Sequence, residues 1–548
     1  MWFEQVMQKK QECWKVLQEC KSLSRLIKAQ QHITPWNGES GRYLPSKELC
    51  DQFLTAYLRT FEKVHRIFHI PSLMQEYDQL WQAPKTITPL LTNRFQLCFA
   101  IGSCFHDDSF SHRQQAMQWV YEAETMLAFS PKYHTTIDGI QLQCLLIIAR
   151  QLTKSMHGDV ISSMVGSLLK AAMSQGLHHD PACLPKMPIL QAEIRRRLWT
   201  TILELELSAS FEAGSCPLIS EDCYGCQLPG NYDDAQLIPG AISAQEQVLD
   251  KATDSTFQLV LGQSLCLRLR VVKILNHHVS VNRYEETLKL TKDLLAASRE
   301  QSAKFESFGL KAASFGRRYV ETITRRCLLA LHIPFMPLSF INPSYSFSRQ
   351  MAVETAIELA YSLTFPADNE KVPSNFSLPR NSLHKEDEDI LRLYAWGSGP
   401  FRSLPWQCFF VIASELLAIS HGAFGEIPLF AASNRSLRSY ELRMLLQRGV
   451  QHMEKRLKFV GVNIKDFVFA AAFVADIESR DQMDEKSLEA FQHAASILRE
   501  RAGGGSVSGY GSDQGTVENA GSVDDFWIPD FSEDDWNSNL HMSNVYVP

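Results

Sequence analysis

Apolar residues recur along this chain at helical spacing with few interruptions. In "SKELCDQFLTAYLRTFEKVHRIF", residues 46–68, Leu49, Phe53, Leu54, Tyr57, Phe61, Val64 and Ile67 fall at i, i+3 and i+4. That is the spacing of one buried helix face. The segments "IDGIQLQCLLIIARQL", "VISSMVGSLLKAAMSQG" and "QAEIRRRLWTTILELELSAS" repeat it, and further helices are predicted over 248–300, 311–332, 349–363, 404–420 and 435–475. Alternating strand patterns bounded by hairpin turns are missing. Proline and glycine place loops at 181–188, 213–241, 364–382 and 397–405. The predicted fold class is therefore all-α, a large multi-helix domain over 47–500. Residues 1–30 read as an amphipathic helix with Trp2, Val6, Cys13, Val16, Cys20, Leu23 and Ile27 near heptad a and d positions and Lys9 breaking the seam. Such a stripe serves either a short dimerising coiled coil or a helix packed on its own domain. Residues 31–46 form a Pro/Gly/Ser-containing linker.

Charge changes the picture at one end. The chain has 548 residues and a formal net charge of −7, yet no Lys or Arg follows Arg501, and eight acidic residues do. The first 501 residues are thus close to neutral and carry no global field for nucleic acid or anionic lipid. Residues 501–548 open Gly/Ser-rich and then mix acid with Phe526, Trp527, Phe531 and Trp536. This composition predicts a disordered acidic-aromatic tail, a candidate activation segment whose aromatics enter a coactivator groove. A merely solubilising tail is the alternative. No segment reads as a membrane span, the apolar run "FVFAAAFVA" at 467–475 being too short. Thirteen cysteines without a disulfide framework point to a reducing, intracellular compartment.

Three groups of residues invite chemistry. His178, His179 and Asp180 follow Gly176, a natural left-handed helix stop, and precede Pro181. Adjacent histidines point apart, so a helix exit fits better than a metal site. Arg195, Arg196 and Arg197 fan over roughly 200° at ~100° per residue. Glu193 stands three and four residues before Arg196 and Arg197, so local ion pairs on a core helix are expected instead of an import signal. Cys216, Cys223 and Cys226 hold the C-x-x-C of the chain, but no fourth zinc ligand lies nearby. Hydrolase, P-loop, zincin and dinucleotide signatures are absent, which favours no enzyme.

Taken together, these residues resemble the fungal-specific transcription factor domain, the helical middle region of fungal zinc-cluster regulators. In "YLRTFEKVHRIFHIPSL", Phe61, His69, Ile70 and Pro71 match, with Leu73 where an aromatic is common. In "GSLLKAAMSQGLHHDP", Gly176, Leu177, His178, Asp180 and Pro181 match, and His179 replaces an arginine. The resemblance is strongest at Arg196, Arg197, Leu198 and Trp199. It continues through Gly214, Pro217, Ile219, Pro229, Asn231 and Asp234 to "ITRRCLLALHIPF" and "GSGPFRSL", covering roughly residues 20–480. All these motif residues are expected to be structural.

The resemblance implies a nuclear transcription regulator controlling one pathway, such as a secondary-metabolite gene cluster. It also implies a partner transcription factor or a homodimer, and a coactivator for the tail. Relatives of this kind carry zinc in an N-terminal six-cysteine module, but this sequence offers only Cys13, Cys20 and Cys50 there. No cofactor is therefore expected, and promoter DNA is expected to be reached indirectly. Either the protein works without its own zinc cluster, or the cluster is encoded upstream of Met1. The alternative is a ligand-sensing helical co-regulator or repressor that binds another transcription factor.

Overall fold

The computed structural model describes residues 11–29, 44–82, 88–153, 158–247, 251–277, 283–310, 314–364, 385–420, 429–460, 464–478 and 483–503. Among them every regular element is a helix. The acidic-aromatic tail, with Phe526, Trp527, Phe531 and Trp536, lies outside the described residues, as do most of the 31–46 linker and the 364–382 loop. Two units result. One comprises residues 1–32, 332–353 and 411–548, and the other residues 33–331 and 354–410.

In the first unit, α1 (Gln11–Ala29) buries Leu17, Cys20, Ser24 and Ile27. Cys20 and Ile27 are heptad positions read in the sequence, and Leu17 and Ser24 are buried beside them while Val16 and Leu23 are only partly covered. The helix packs within the chain, on the C-terminal helix of the unit, where Cys20 Sγ lies 3.9 Å from the Phe491 carbonyl and Arg499 forks onto Glu19 at 2.6 and 2.8 Å.

The second unit opens with α2 (Lys47–Arg59), capped by the Ser46 hydroxyl on Leu49 N–H. The periodic run at 47–67 is not one helix. Thr60 turns its hydroxyl onto the Ala56 carbonyl at 2.7 Å, and a short α3 (Phe61–His65) ends at Arg66 with φ 50°. Next come α4 (Ile70–Gln82), α5 (Pro89–Ser103), α6 (Arg113–Phe129), α7 (Ile137–Thr153) and α8 (Gly158–Ser174). Gly102 lets α5 lie directly on α2, because a Cβ there would meet the Phe53 carbonyl oxygen at 1.9 Å.

The 25-residue α9 (Ile189–Ala213) is buried on almost every side. An irregular loop, 214–247, follows it. The predicted run 248–300 is broken into α10 (Thr256–Gln263), α11 (Leu265–Asn276) and α12 (Arg283–Ser307). The first break is chemical: the Ser264 hydroxyl bonds the Leu261 carbonyl at 2.9 Å and accepts Arg268 Nε at 3.0 Å.

Further along are α13 (Phe315–His332), α14 (Ser346–Leu363), α15 (Lys385–Trp396) and α16 (Pro400–Ser420). The loop expected over 397–405 is shorter than its prolines and glycines suggest. Gly399 at φ 59° turns the chain, Pro400 opens α16, and Pro405 sits inside it. Burial of Phe401 and Leu404 outweighs the lost hydrogen bond at Pro405. α16 is also long and apolar enough to cross a membrane, which the sequence reading missed. More than half of its apolar window, 56%, is buried in the chain, as in a core helix. The first unit is completed by α17 (Leu429–Val460), α18 (Ile464–Glu478) and α19 (Met483–Gly503), the helix on which α1 packs.

Candidate functional site

The motif residues converge on α9, because its polar side chains hold the loops on either side. α8 closes with the bond pattern expected of a left-handed stop. Gly176, at φ 68°, bonds its N–H to the Met173 carbonyl, and Leu177 N–H reaches Ala172 at 3.0 Å. The chain then exits, and the His178 carbonyl accepts Gly225 and Cys226 N–H at 2.9 and 3.1 Å. Contrary to the expectation that adjacent histidines point apart, the His178 and His179 ring centroids lie 3.9 Å from each other, because the chain turns between them. Asp180 caps the turn Pro181–Cys183 through Ala182 N–H, and Pro181 is buried.

Two carboxylate clamps fasten these loops. At the first, Arg196 grips Asp180 with Nε and Nη2 at 2.9 and 2.8 Å, and Gln227 N–H adds a bond at 3.0 Å. The Arg196 bonds hold the Asp180 carboxyl down at about 2 against burial. Arg196 Nη1 also reaches Glu193 at 2.7 Å, the expected i, i+3 pair, while the other Glu193 oxygen accepts Gly230 N–H.

At the second clamp, Arg197 turns away from Glu193 and donates to Asp234 at 2.7 Å. Arg66, at the left-handed end of α3, pairs with the same carboxylate, and Ile70 N–H donates to it at 2.7 Å. Burial alone would raise the Asp234 carboxyl, but the two guanidiniums hold it at about 2. Burial and the neighbouring Arg66 charge both pull Arg197 down, so Asp234 is what keeps two buried cations together. His69 donates Nε2–H to the Asp234 carbonyl at 2.9 Å and places Nδ1 2.8 Å from the Ser72 hydroxyl. Pro71 is exposed in the first turn of α4. Leu198 and Trp199, at 0% and 1% exposure, fill the core between the clamps.

Several members of this network carried no signal in the sequence. Glu62, fully buried, accepts Tyr57 O–H at 2.6 Å and Phe68 N–H at 2.9 Å. Burial raises its carboxyl to about 7, opposed by Arg66 and these bonds. Arg268 and Glu204 form a buried fork at 2.7 and 2.6 Å one helical turn from Thr201, whose hydroxyl donates to the His65 carbonyl. Arg268 and Glu204 are single charges inside helical patterns 64 residues apart, whereas the partners of Glu62 lie only five and six residues away and its burial is what the helical pattern does not show.

The site fastens loops and presents no reacting group. Burial pushes the Cys226 thiol up to about 12 and Cys327 to about 11, away from nucleophilic thiolates. The three loop cysteines do not converge either. Cys216 faces the Asn276 carbonyl, Cys223 lies by Ser220, and Cys226 turns to Gln227. Among the described residues no three His, Cys, Asp or Glu side chains gather as a metal site would need.

Residues 54–283 match the description "Fungal specific transcription factor domain". The chain is 30% identical over 480 residues to the transcription factor lepE of Aspergillus flavus, covering 84% of this chain and 56% of the relative. It is 30% identical over 497 residues to the transcription factor opdR of Penicillium oxalicum, covering 85% and 60%. Over 355 residues it is 27% identical to the aspyridones cluster regulator apdR of Emericella nidulans, covering 62% and 46%. The chain thus spans a little over half the length of the first two relatives. No solved structure matches it.

Proposed function

We propose that the protein is a pathway-specific fungal transcription regulator, a reading supported by the match of residues 54–283 to the fungal specific transcription factor domain. The pathway is proposed to be the product of one secondary-metabolite gene cluster, and the place of action the nucleus. The carrying observation is a similarity that runs through 84% and 85% of the chain to two transcription factors, with a third relative named for the cluster it regulates.

In this reading the clamped helical body is a regulatory platform and has no catalytic role. The acidic tail is the activating segment and recruits a coactivator through Phe526, Trp527, Phe531 and Trp536. Promoter DNA is reached through a partner transcription factor or a second copy of the chain.

Deletion of the gene tests the pathway. Loss of transcripts from one set of biosynthetic genes is expected, and an unchanged transcriptome under producing conditions refutes the reading. Fusion of residues 502–548 to a heterologous DNA-binding domain tests the tail. Activation lost on changing the four aromatics to Ala supports it; activation unaffected by those changes refutes it. Direct binding of naked promoter DNA by the purified chain overturns the indirect contact.

A further inference from the structure

Beside the second clamp, α4, α5, α7 and the start of α9 enclose a cleft of about 430 Å³. That volume falls within the range of small-molecule sites. Met187, Leu190 and Ile194 line it as partly exposed apolar side chains, facing the buried Leu73 and Phe68.

The two walls differ in charge. On one, Arg94 is bonded to Glu76 at 2.5 Å and to Asp138 at 2.7 Å and lies over the Phe68 ring at 5.3 Å. That wall has two carboxylates for one cation. On the other stands Arg195. Its neighbours Arg196 and Arg197 each hold a carboxylate, but Arg195 has only the Gln175 carbonyl, at 2.6 Å from Nη2. Its Nε is sealed from solvent, Nη1 is neither bonded nor buried, and among the described residues no carboxylate pairs with it. A half-buried guanidinium without an anion is costly, and a carboxylate supplied by a ligand relieves that cost.

We propose that this cleft binds a small apolar monocarboxylate, with its acid group on Arg195 and its hydrocarbon body against Met187, Leu190 and Ile194. The opposite wall sets the selectivity. Glu76 and Asp138 outnumber Arg94, so a second carboxylate at the far end of the ligand is repelled. The cleft adjoins the second clamp through His69, which lines it and bonds the Asp234 carbonyl. Binding itself does not depend on the regulatory role proposed above.

The test uses the purified full chain and three probes below their micellar concentrations: decanoate, the neutral decanol and the diacid decanedioate. Calorimetric titration is expected to show one decanoate site, with decanol and decanedioate weaker by about tenfold or more. Arg195→Gln is expected to lose decanoate binding by a similar factor, and Leu190→Trp to block the cleft. Absence of decanoate binding overturns the proposal. So does decanol binding as well as decanoate, or equal decanoate binding by Arg195→Gln. If Arg195→Gln does not fold, Leu190→Trp decides, since unchanged decanoate binding in that variant overturns the proposal too.

Discussion

Replacing Asp234 by Asn isolates the centre of the network. The carboxylate is buried, neutralises Arg66 and Arg197, and takes the Ile70 N–H. Asparagine keeps an oxygen for Ile70 but leaves two guanidiniums, at 2% and 0% exposure, facing each other without the carboxylate that pairs both. Breaking a buried pair by removing one partner costs about 3–5 kcal/mol, and the upper end is expected here because two cations are stranded. Against a total stability of ~5–15 kcal/mol, that lowers the urea midpoint of the second unit by a large fraction.

The assay is urea unfolding of the full chain at pH 7, followed by tryptophan fluorescence and circular dichroism. Arg197→Met added to Asp234→Asn removes one stranded charge. The double variant should therefore lose less than the sum of the two single losses, by about 1–3 kcal/mol. A cost for Asp234→Asn below about 1 kcal/mol, the value of a solvated surface pair, refutes the view that this carboxylate fastens the loop.

The same reasoning reaches other groups. Glu204→Gln strands buried Arg268 and is expected to cost about 3–5 kcal/mol by urea unfolding, while replacing both Glu204 and Arg268 with leucine costs less. Trp199→Ala opens a cavity in α9 and should cost about 3–5 kcal/mol by the same measurement. Burial holds folded His65 down at about 4, below the 6.5 of an unfolded histidine. Its contribution is therefore complete above pH 6.5 and is lost as pH falls through 4, about 3 kcal/mol in all, and His65→Gln should flatten that slope. Glu62 acts with the opposite sign. Burial raises its folded value to about 7 from 4.5, so its contribution is complete below 4.5 and lost as pH rises through 7. Glu62→Gln should reduce the loss of stability between pH 5 and pH 7.5, read as the shift in thermal midpoint.

The helical class was legible in the sequence because apolar spacing is a local property, set by 3.6 residues per turn. Loop exits were legible for the same reason. Gly176 followed by Asp180 and Pro181 spells its own stop and cap, and the structure places φ 68° and a side-chain cap there.

Where elements end inside a periodic run was decided by tertiary contacts. The periodic runs end at Thr60 and at Ser264, where the backbone leaves the helix, and Pro405 stays in a helix whose neighbouring Phe401 and Leu404 are buried. Which positions of α1 are fully buried was also decided by what it packs on. Both candidate faces carry apolar residues, and only contact with α19 selects Leu17 and Ser24.

The network shows the limit most clearly. Glu193 with Arg196 is a pair three residues apart and readable from spacing. Arg197 with Asp234 and Arg268 with Glu204 join residues 37 and 64 apart, whose meeting depends on the path of the whole chain, while Glu62 meets Tyr57 and Phe68 locally and only its burial comes from the fold. An isolated charge in a helical pattern looks like a solvated one until folding removes its water. Desolvation is then what makes the partner obligatory, and it is a property of position in the fold. Sequence alone therefore determined the helical class and many of the motif residues, and the tertiary structure decided which charges they hold and left Arg195 without one.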